Sequence, residues 1–189
     1  MCDLNKINAC IIAAQLAALV AVGSLFTAMV GKQSLFAIFT STGPMIVAAV
    51  FIGIALIALG VALSSMPGCI TGACRGPGSA LLAMLSLVFA ALGATLAGII
   101  VATFSSAVPF LGAGSIALLF WGLSGLVLLW PSLAGALLSL SNCLNASPSV
   151  PTFILILGVV VALTTASLLF ELLQLPGGGG VACIYFIRC

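Results

Sequence analysis

The chain has 189 residues, 64% of them hydrophobic, and only six charged side chains, four basic and two acidic: Asp3, Lys6, Lys32, Arg75, Glu171 and Arg188. Soluble domains devote about a quarter of their residues to charge, so a water-facing surface is excluded and the outside of this molecule must face lipid. Histidine is absent, which removes two-imidazole haem and the usual zinc and copper sites.

Five apolar runs follow one another, each near or above the roughly 20 residues that cross a ~30 Å hydrocarbon core. The first, 9–30, carries Gln15 and small residues at Cys10, Ala14, Ala17, Ala21, Ser24 and Ala28. It is longer than the apolar core of a cleaved signal peptide and reads as a retained helix. The second, 45–63, follows Gly43-Pro44 and places Gly53 and Gly60 two turns apart. The third, 80–104, follows Gly76-Pro77-Gly78, with Ser79 expected at its N-cap. The fourth, 114–140, contains Trp121, Gly122, Gly125, Trp130 and Pro131. Proline removes a helical hydrogen bond and clashes with the preceding turn. A kink near Trp130 is therefore expected, with Trp130 as an interface marker and, as an alternative, a crossing of only 114–130 and an oblique 132–140. The fifth, 152–175, lies between Pro151 and Pro176 and ends with Glu171 and Gln174.

Backbone amides in lipid must be satisfied within their own segment, so these runs are helices; the alternating ten-residue strands of a barrel are not seen. The expected fold is all-α, a polytopic bundle of about five membrane-spanning helices in a single membrane domain, 1–189, with short loops. The tail, 181–189, is too short to cross again and reads as an ordered interfacial segment.

Lipid gives helices no hydrophobic drive to associate, so close packing relies on small residues. In the third run Ser86, Ala90, Ala94, Gly98 and Ala102 recur every four residues, and in the fourth Gly122 and Gly125 share a face. Together with Gly53 and Gly60 these exceed what one bundle needs internally, which points to neighbouring membrane subunits, in a hetero- or homo-oligomer. On this reading the third-run stripe faces another helix.

Five crossings put the N-terminus and the loops 64–79 and 141–150 on one side, and 31–43 and the C-terminal tail on the other. Lys6 and Arg75 on the first side balance Lys32 and Arg188 on the second, so the positive-inside rule chooses no orientation. Cysteine gives a lean. Cys2, Cys69, Cys74 and Cys143 all fall on the N-terminal side and suffice for two disulfides, with Cys69–Cys74 closing a small loop as one pairing. Disulfides persist in oxidising compartments, which places the N-terminus on the oxidising side.

Catalytic chemistry has few carriers. The C-x-x-x-x-C of Cys69 and Cys74 departs from the C-x-x-C of thiol oxidoreductases, and one cysteine pair is too few for structural zinc. Glu171 stands near a helix end, where anchoring at headgroups or pairing with Lys32 or Arg188 outweighs an ion-path role; Gln174 is close enough to share a polar contact. Gln15, deeper, is expected to hydrogen-bond between helices. Asn145-Ala146-Ser147 matches a glycosylation sequon but lies too close to two helices to be occupied. Phosphate-binding and nucleic-acid-binding motifs are absent. No cofactor is required, although bound lipid or an apolar pigment fits such a surface. The expected role is a non-catalytic, lipid-embedded accessory subunit, with a small transporter or channel as the alternative and a thiol-disulfide oxidoreductase behind it.

Overall fold

A computed structural model of the chain describes residues 2–30, 38, 42–70, 72–104 and 109–174. These form five long helices: α1 (Leu4–Met29), α2 (Thr42–Ser65), α3 (Arg75–Phe104), α4 (Pro109–Cys143) and α5 (Ser149–Gln174), with 3₁₀ turns at Met66–Cys69 and Gly72–Cys74 between α2 and α3. All five are long and apolar enough to cross a membrane, and no strand occurs among the described residues. The protein is an all-α, multi-pass membrane helix bundle. The tail, Lys32 and Arg188 lie outside the described residues, as do Cys183 and Cys189.

Each helix packs on the next in chain order, most extensively α3 on α4, and α5 closes back on α1. The result is a ring of five neighbours around an axis. What turns each helix toward that axis is a repeat of three and four residues. Ile7, Ile11, Ala14, Ala18, Ala21, Leu25 and Ala28 are buried along α1, and Met45, Ala48, Ile52, Ala55, Leu59 and Ala62 along α2. The same alternation runs through Leu81, Leu85, Val88, Leu92, Thr95, Ile99 and Ala102 in α3, and through Ile116, Leu119, Leu123, Leu126, Trp130, Leu133, Leu137 and Leu140 in α4. In α5 it is Pro151, Ile154, Gly158, Val161, Thr165, Leu168 and Leu172. A mean period of 3.5 keeps a seam facing its partners only when helices wind around one another left-handedly.

This geometry corrects the reading of the α3 stripe. A strict four-residue repeat rotates by about 40° per step around a straight helix, so its members cannot share one face. Ser86 and Ala90 are exposed on the outer surface, Ala94 is half-buried, and Gly98 and Ala102 are buried. The partner of Gly98 is α4 of the same chain. A Cβ there would lie 2.7 Å from the Leu119 amide nitrogen and 2.8 Å from the Ser115 carbonyl oxygen. Gly122 of α4 answers it, because a Cβ at that position would come 2.7 Å from the Ala91 carbonyl oxygen and 2.8 Å from the Thr95 amide nitrogen. Gly125 is looser, 3.6 Å from the Ala91 Cβ, while Gly53 and Gly60 are half-buried with nothing closer than 4.0 Å.

The helix ends also sharpen. Asp3 caps α1, its Oδ1 accepting the Lys6 amide at 3.1 Å, and its charge complements the positive end of the helix dipole. Helix α3 begins at Arg75, before Ser79. Ser79 therefore is not the N-cap, and its hydroxyl donates to the Gly76 carbonyl at 2.8 Å. Helix α4 stops where Asn145 takes a left-handed φ of 53°. The Ala146 amide then donates to the Ser141 carbonyl at 2.9 Å and the Asn145 amide to Asn142 at 3.2 Å, the paired bonds of a Schellman cap. Asn145 thus has a structural task independent of the sequon it opens.

Pro131 does not divide the fourth crossing, for α4 continues through it to Cys143. Nor does Trp130 mark an interface: it is completely buried, the largest such side chain among the described residues. Its ring occupies the bundle axis, where Ala18 and Ala21 of α1 leave room across a shared space.

Candidate functional site

Two features of the bundle carry chemistry, a disulfide-pinned end and a polar level at mid-bundle. At the first, Cys2 bonds to Cys69 and Cys74 to Cys143, with Cα separations of 4.6 Å and 5.8 Å. The four cysteines of the N-terminal side do form two bridges, but the small Cys69–Cys74 loop does not occur. Its two cysteines are instead bound to opposite partners: Cys69 ties the end of α2 to the start of α1, and Cys74 ties the start of α3 to the end of α4. Gly78, in the first turn of α3, packs closely on the first of these bridges, for a Cβ there would lie 2.8 Å from the Cys69 carbonyl oxygen. Cys69 and Cys74 are both buried. Cys10, half-buried on α1, is the free cysteine among the described residues.

The second feature begins with Gln15, which is fully buried in α1. Its Nε2 donates to the Ile154 carbonyl of α5 at 3.1 Å, the interhelical bond expected from the sequence. The approach is permitted by Gly158, since a Cβ there would stand 3.0 Å from Gln15 Nε2 and 3.2 Å from the Trp130 carbonyl oxygen. Gln15, Trp130 and Gly158 therefore meet at one level, contributed by α1, α4 and α5. Sequence reasoning missed Gly158 and Trp130 here. The available signal was the 3.5-residue seam of α5, in which Gly158 is the one position without a side chain.

Most Ser and Thr hydroxyls in the helices donate to a carbonyl three or four residues earlier on their own helix, as Thr95 does to Ala91 at 2.9 Å and Thr165 to Val161 at 2.7 Å. Four buried atoms behave differently. Asn8 Oδ1, Gln15 Oε1, Trp130 Nε1 and Ser141 Oγ have no hydrogen-bond partner within the protein. A buried polar group left in that state costs about 1–3 kcal/mol, so four in the half of the bundle nearest the disulfides are an uneven distribution of cost. On the other side of Trp130 the axial space is about 10 Å³, lined by all five helices through residues such as Ala21, Ile52, Leu92, Leu126 and Val161. That is room for roughly one water, and the lining is almost wholly apolar.

The charged residues stand apart from both features. Asp3, Lys6, Arg75 and Glu171 are exposed at helix ends, with Gln174 exposed one turn beyond Glu171. No group of three or more metal-ligating residues occurs among the described residues.

Gln15→Leu is expected to fold and to change stability by less than about 1 kcal/mol. It removes one hydrogen bond but also an unpartnered acceptor, and losses and gains of this kind nearly cancel when the replacement is apolar and similar in shape. Denaturation of the variant in mixed micelles checks this. No family model, curated protein or solved structure matches the chain.

Proposed function

We propose that this protein is a non-catalytic subunit of a larger membrane assembly, held in the bilayer with its disulfide-bonded end on the oxidising side. The observation that supports this most is the placement of charge: every ionisable residue described other than the cysteines sits exposed at a helix end. Ion and proton paths through membranes use ionisable groups inside the bundle. Here the buried seams turn aliphatic side chains and Trp130 inward, and the axial space that they line beside Trp130 is of the order of one water. A solute pathway has little to work with.

The thiols support the same reading. Both members of the loop pair are buried in separate structural bridges, whereas an exchanging pair needs an accessible thiolate. Outward, Ser86 and Ala90 leave a flat strip on α3 beside exposed Leu87 and Phe89, a surface suited to close approach by a neighbouring helix. Any lipid or pigment would bind on that apolar exterior.

Purification from the native membrane in a mild detergent, followed by mass spectrometry of the intact complex, tests the proposal. A stable complex with a second, different membrane chain is the expected result. A homo-oligomer that conducts ions in liposomes would replace it with the channel reading.

A further inference from the structure

The first, third and fifth helices are built to one register. The buried seam of α1 from Ile7 to Leu25 recurs in α3 from Leu81 to Ile99 at a constant interval of seventy-four residues, and in α5 from Ile154 to Leu172 at a further seventy-three. The disulfides follow the same repeat. Cys2–Cys69 closes α1 with α2 and Cys74–Cys143 closes α3 with α4, over separations of 67 and 69 residues. All three helices run away from the disulfide-bonded end, and α1 and α3 are each followed by an antiparallel partner. Among the described residues α5 is followed by none.

The flank that meets such a partner is defined on α3. Ala91 and Gly98, each one residue before a seam position, face α4: a Cβ at Gly122 would press on the Ala91 carbonyl and a Cβ at Gly98 on Leu119. Their counterparts are Ala17 and Ser24 on α1, buried and half-buried, and Thr164 and Glu171 on α5. On α5 the flank is open. Val160, Ser167 and Glu171 are exposed and Thr164 is half-buried, and spacings of four, three and four residues put them on one face. α1 meets α5 on the seam instead, through Gln15 at the Ile154 carbonyl and Gly158.

Taking the protein as a subunit of a membrane assembly, on which this rests, we propose that the open flank of α5 docks a membrane helix of a different protein, antiparallel to α5 and carrying Lys or Arg in its first turns, opposite Glu171. The chemistry of the face selects that occupant. The Thr164 and Ser167 hydroxyls donate to carbonyls of their own helix, each at 3.0 Å, so toward a neighbour they present acceptor lone pairs. The Glu171 carboxylate makes no ion pair among the described residues, and acids in membrane helices are stabilised by pairing. A second copy of this chain does not supply the cation, because α2 and α4, the helices that start at the Glu171 end, contain no basic residue.

The test uses the full-length protein in its native membrane, with a photoactivatable amino acid at Val160 or Ser167 and, as a control elsewhere on the outer surface, at Leu128 of α4. Mass spectrometry should find both α5 positions joined to one helix of a second membrane protein. The Val160 cross-link should fall further along that helix than the Ser167 cross-link, with Lys or Arg before both. Glu171→Lys should lower the adduct yield about tenfold or more, because like charges across an interface oppose docking, and changing the partner's basic residue to Glu should restore it. Both disulfides, mapped without reductant, report that each variant is folded. A complex with a second protein whose adducts arise at Leu128 and not on α5, or only within this chain, overturns the proposal while the subunit reading stands. So does an α5 adduct whose yield Glu171→Lys leaves unchanged. Adducts to a second copy of this chain alone, or the absence of any second chain in both the cross-linked and the purified material, overturn the two together.

Discussion

Gly122→Ala should destabilise the bundle by about 2 kcal/mol or more, although the same substitution at Gly125, one turn away, should be neutral or slightly stabilising. Alanine gains about 1 kcal/mol over glycine in helix propensity, and at Gly125 nothing opposes that gain, the added Cβ making an ordinary contact at 3.6 Å. At Gly122 the Cβ would press on the Ala91 carbonyl oxygen at 2.7 Å and the Thr95 amide nitrogen at 2.8 Å. These are backbone atoms of a packed helix and cannot rotate away, so α3 and α4 must separate along their length; overpacking of this kind costs about 1–3 kcal/mol and sometimes more. Gly98→Leu, acting from the opposite helix on Ser115 and Leu119, should cost at least as much. Unfolding in mixed micelles measures all three. The outcome also separates two explanations of Gly98, since loss of an intermolecular contact would leave the monomer's stability untouched.

Removing the Cys74–Cys143 bridge by a double serine substitution should lower stability by about 2–4 kcal/mol, with a similar loss for Cys2–Cys69. The bridged residues are 69 and 67 apart in sequence, and chain entropy assigns a closed loop of that length about 4 kcal/mol. The lower bound allows for helices that persist in the membrane-embedded unfolded state and so shorten the flexible part of the loop. Unfolding with and without reductant reads the effect, and peptide mapping under non-reducing conditions should recover these two pairs with Cys10 alkylated. Recovery of a Cys69–Cys74 peptide instead would contradict the structure. The two bridges together secure all the helices except α5 at one end.

Much of the architecture was legible because the bilayer imposes it. Five crossings, their order and the common side of four cysteines follow from run lengths and from the requirement that backbone amides be satisfied in lipid. The facing of each helix was harder to read. In a soluble bundle the buried seam stands out against polar neighbours, but here the lipid-facing residues are equally apolar: Ile57 and Leu128 are more than two-thirds exposed, while Leu59 and Leu126 are buried. Hydropathy therefore carries no phase, and only the alternation of three and four in side-chain size does. Choosing the four-residue spacing in α3 gave a stripe that starts on the outer surface at Ser86 and reaches the α4 contact only at Gly98. The true small-residue contact is reciprocal, Gly98 against α4 and Gly122 against α3, and needs both helices to be seen together.

The interior polar level shows the same division. Gln15 was recognisable by itself as an interhelical hydrogen-bonding residue, because an amide in a membrane helix must find a partner. That its partner is the Ile154 carbonyl, reached over Gly158 and beside Trp130, depends on three helices distant in sequence. Pro131 likewise suggested a boundary, yet α4 passes through it because packing on both sides holds the helix together where one hydrogen bond is lost. By itself, then, the amino-acid sequence determined the solvent, the crossings and the side on which the cysteines lie, since each depends on composition and length along one segment. The tertiary structure alone decided which cysteines pair, which glycines are indispensable and where unpartnered polar atoms gather, since each depends on the approach of helices whose surfaces look alike to lipid.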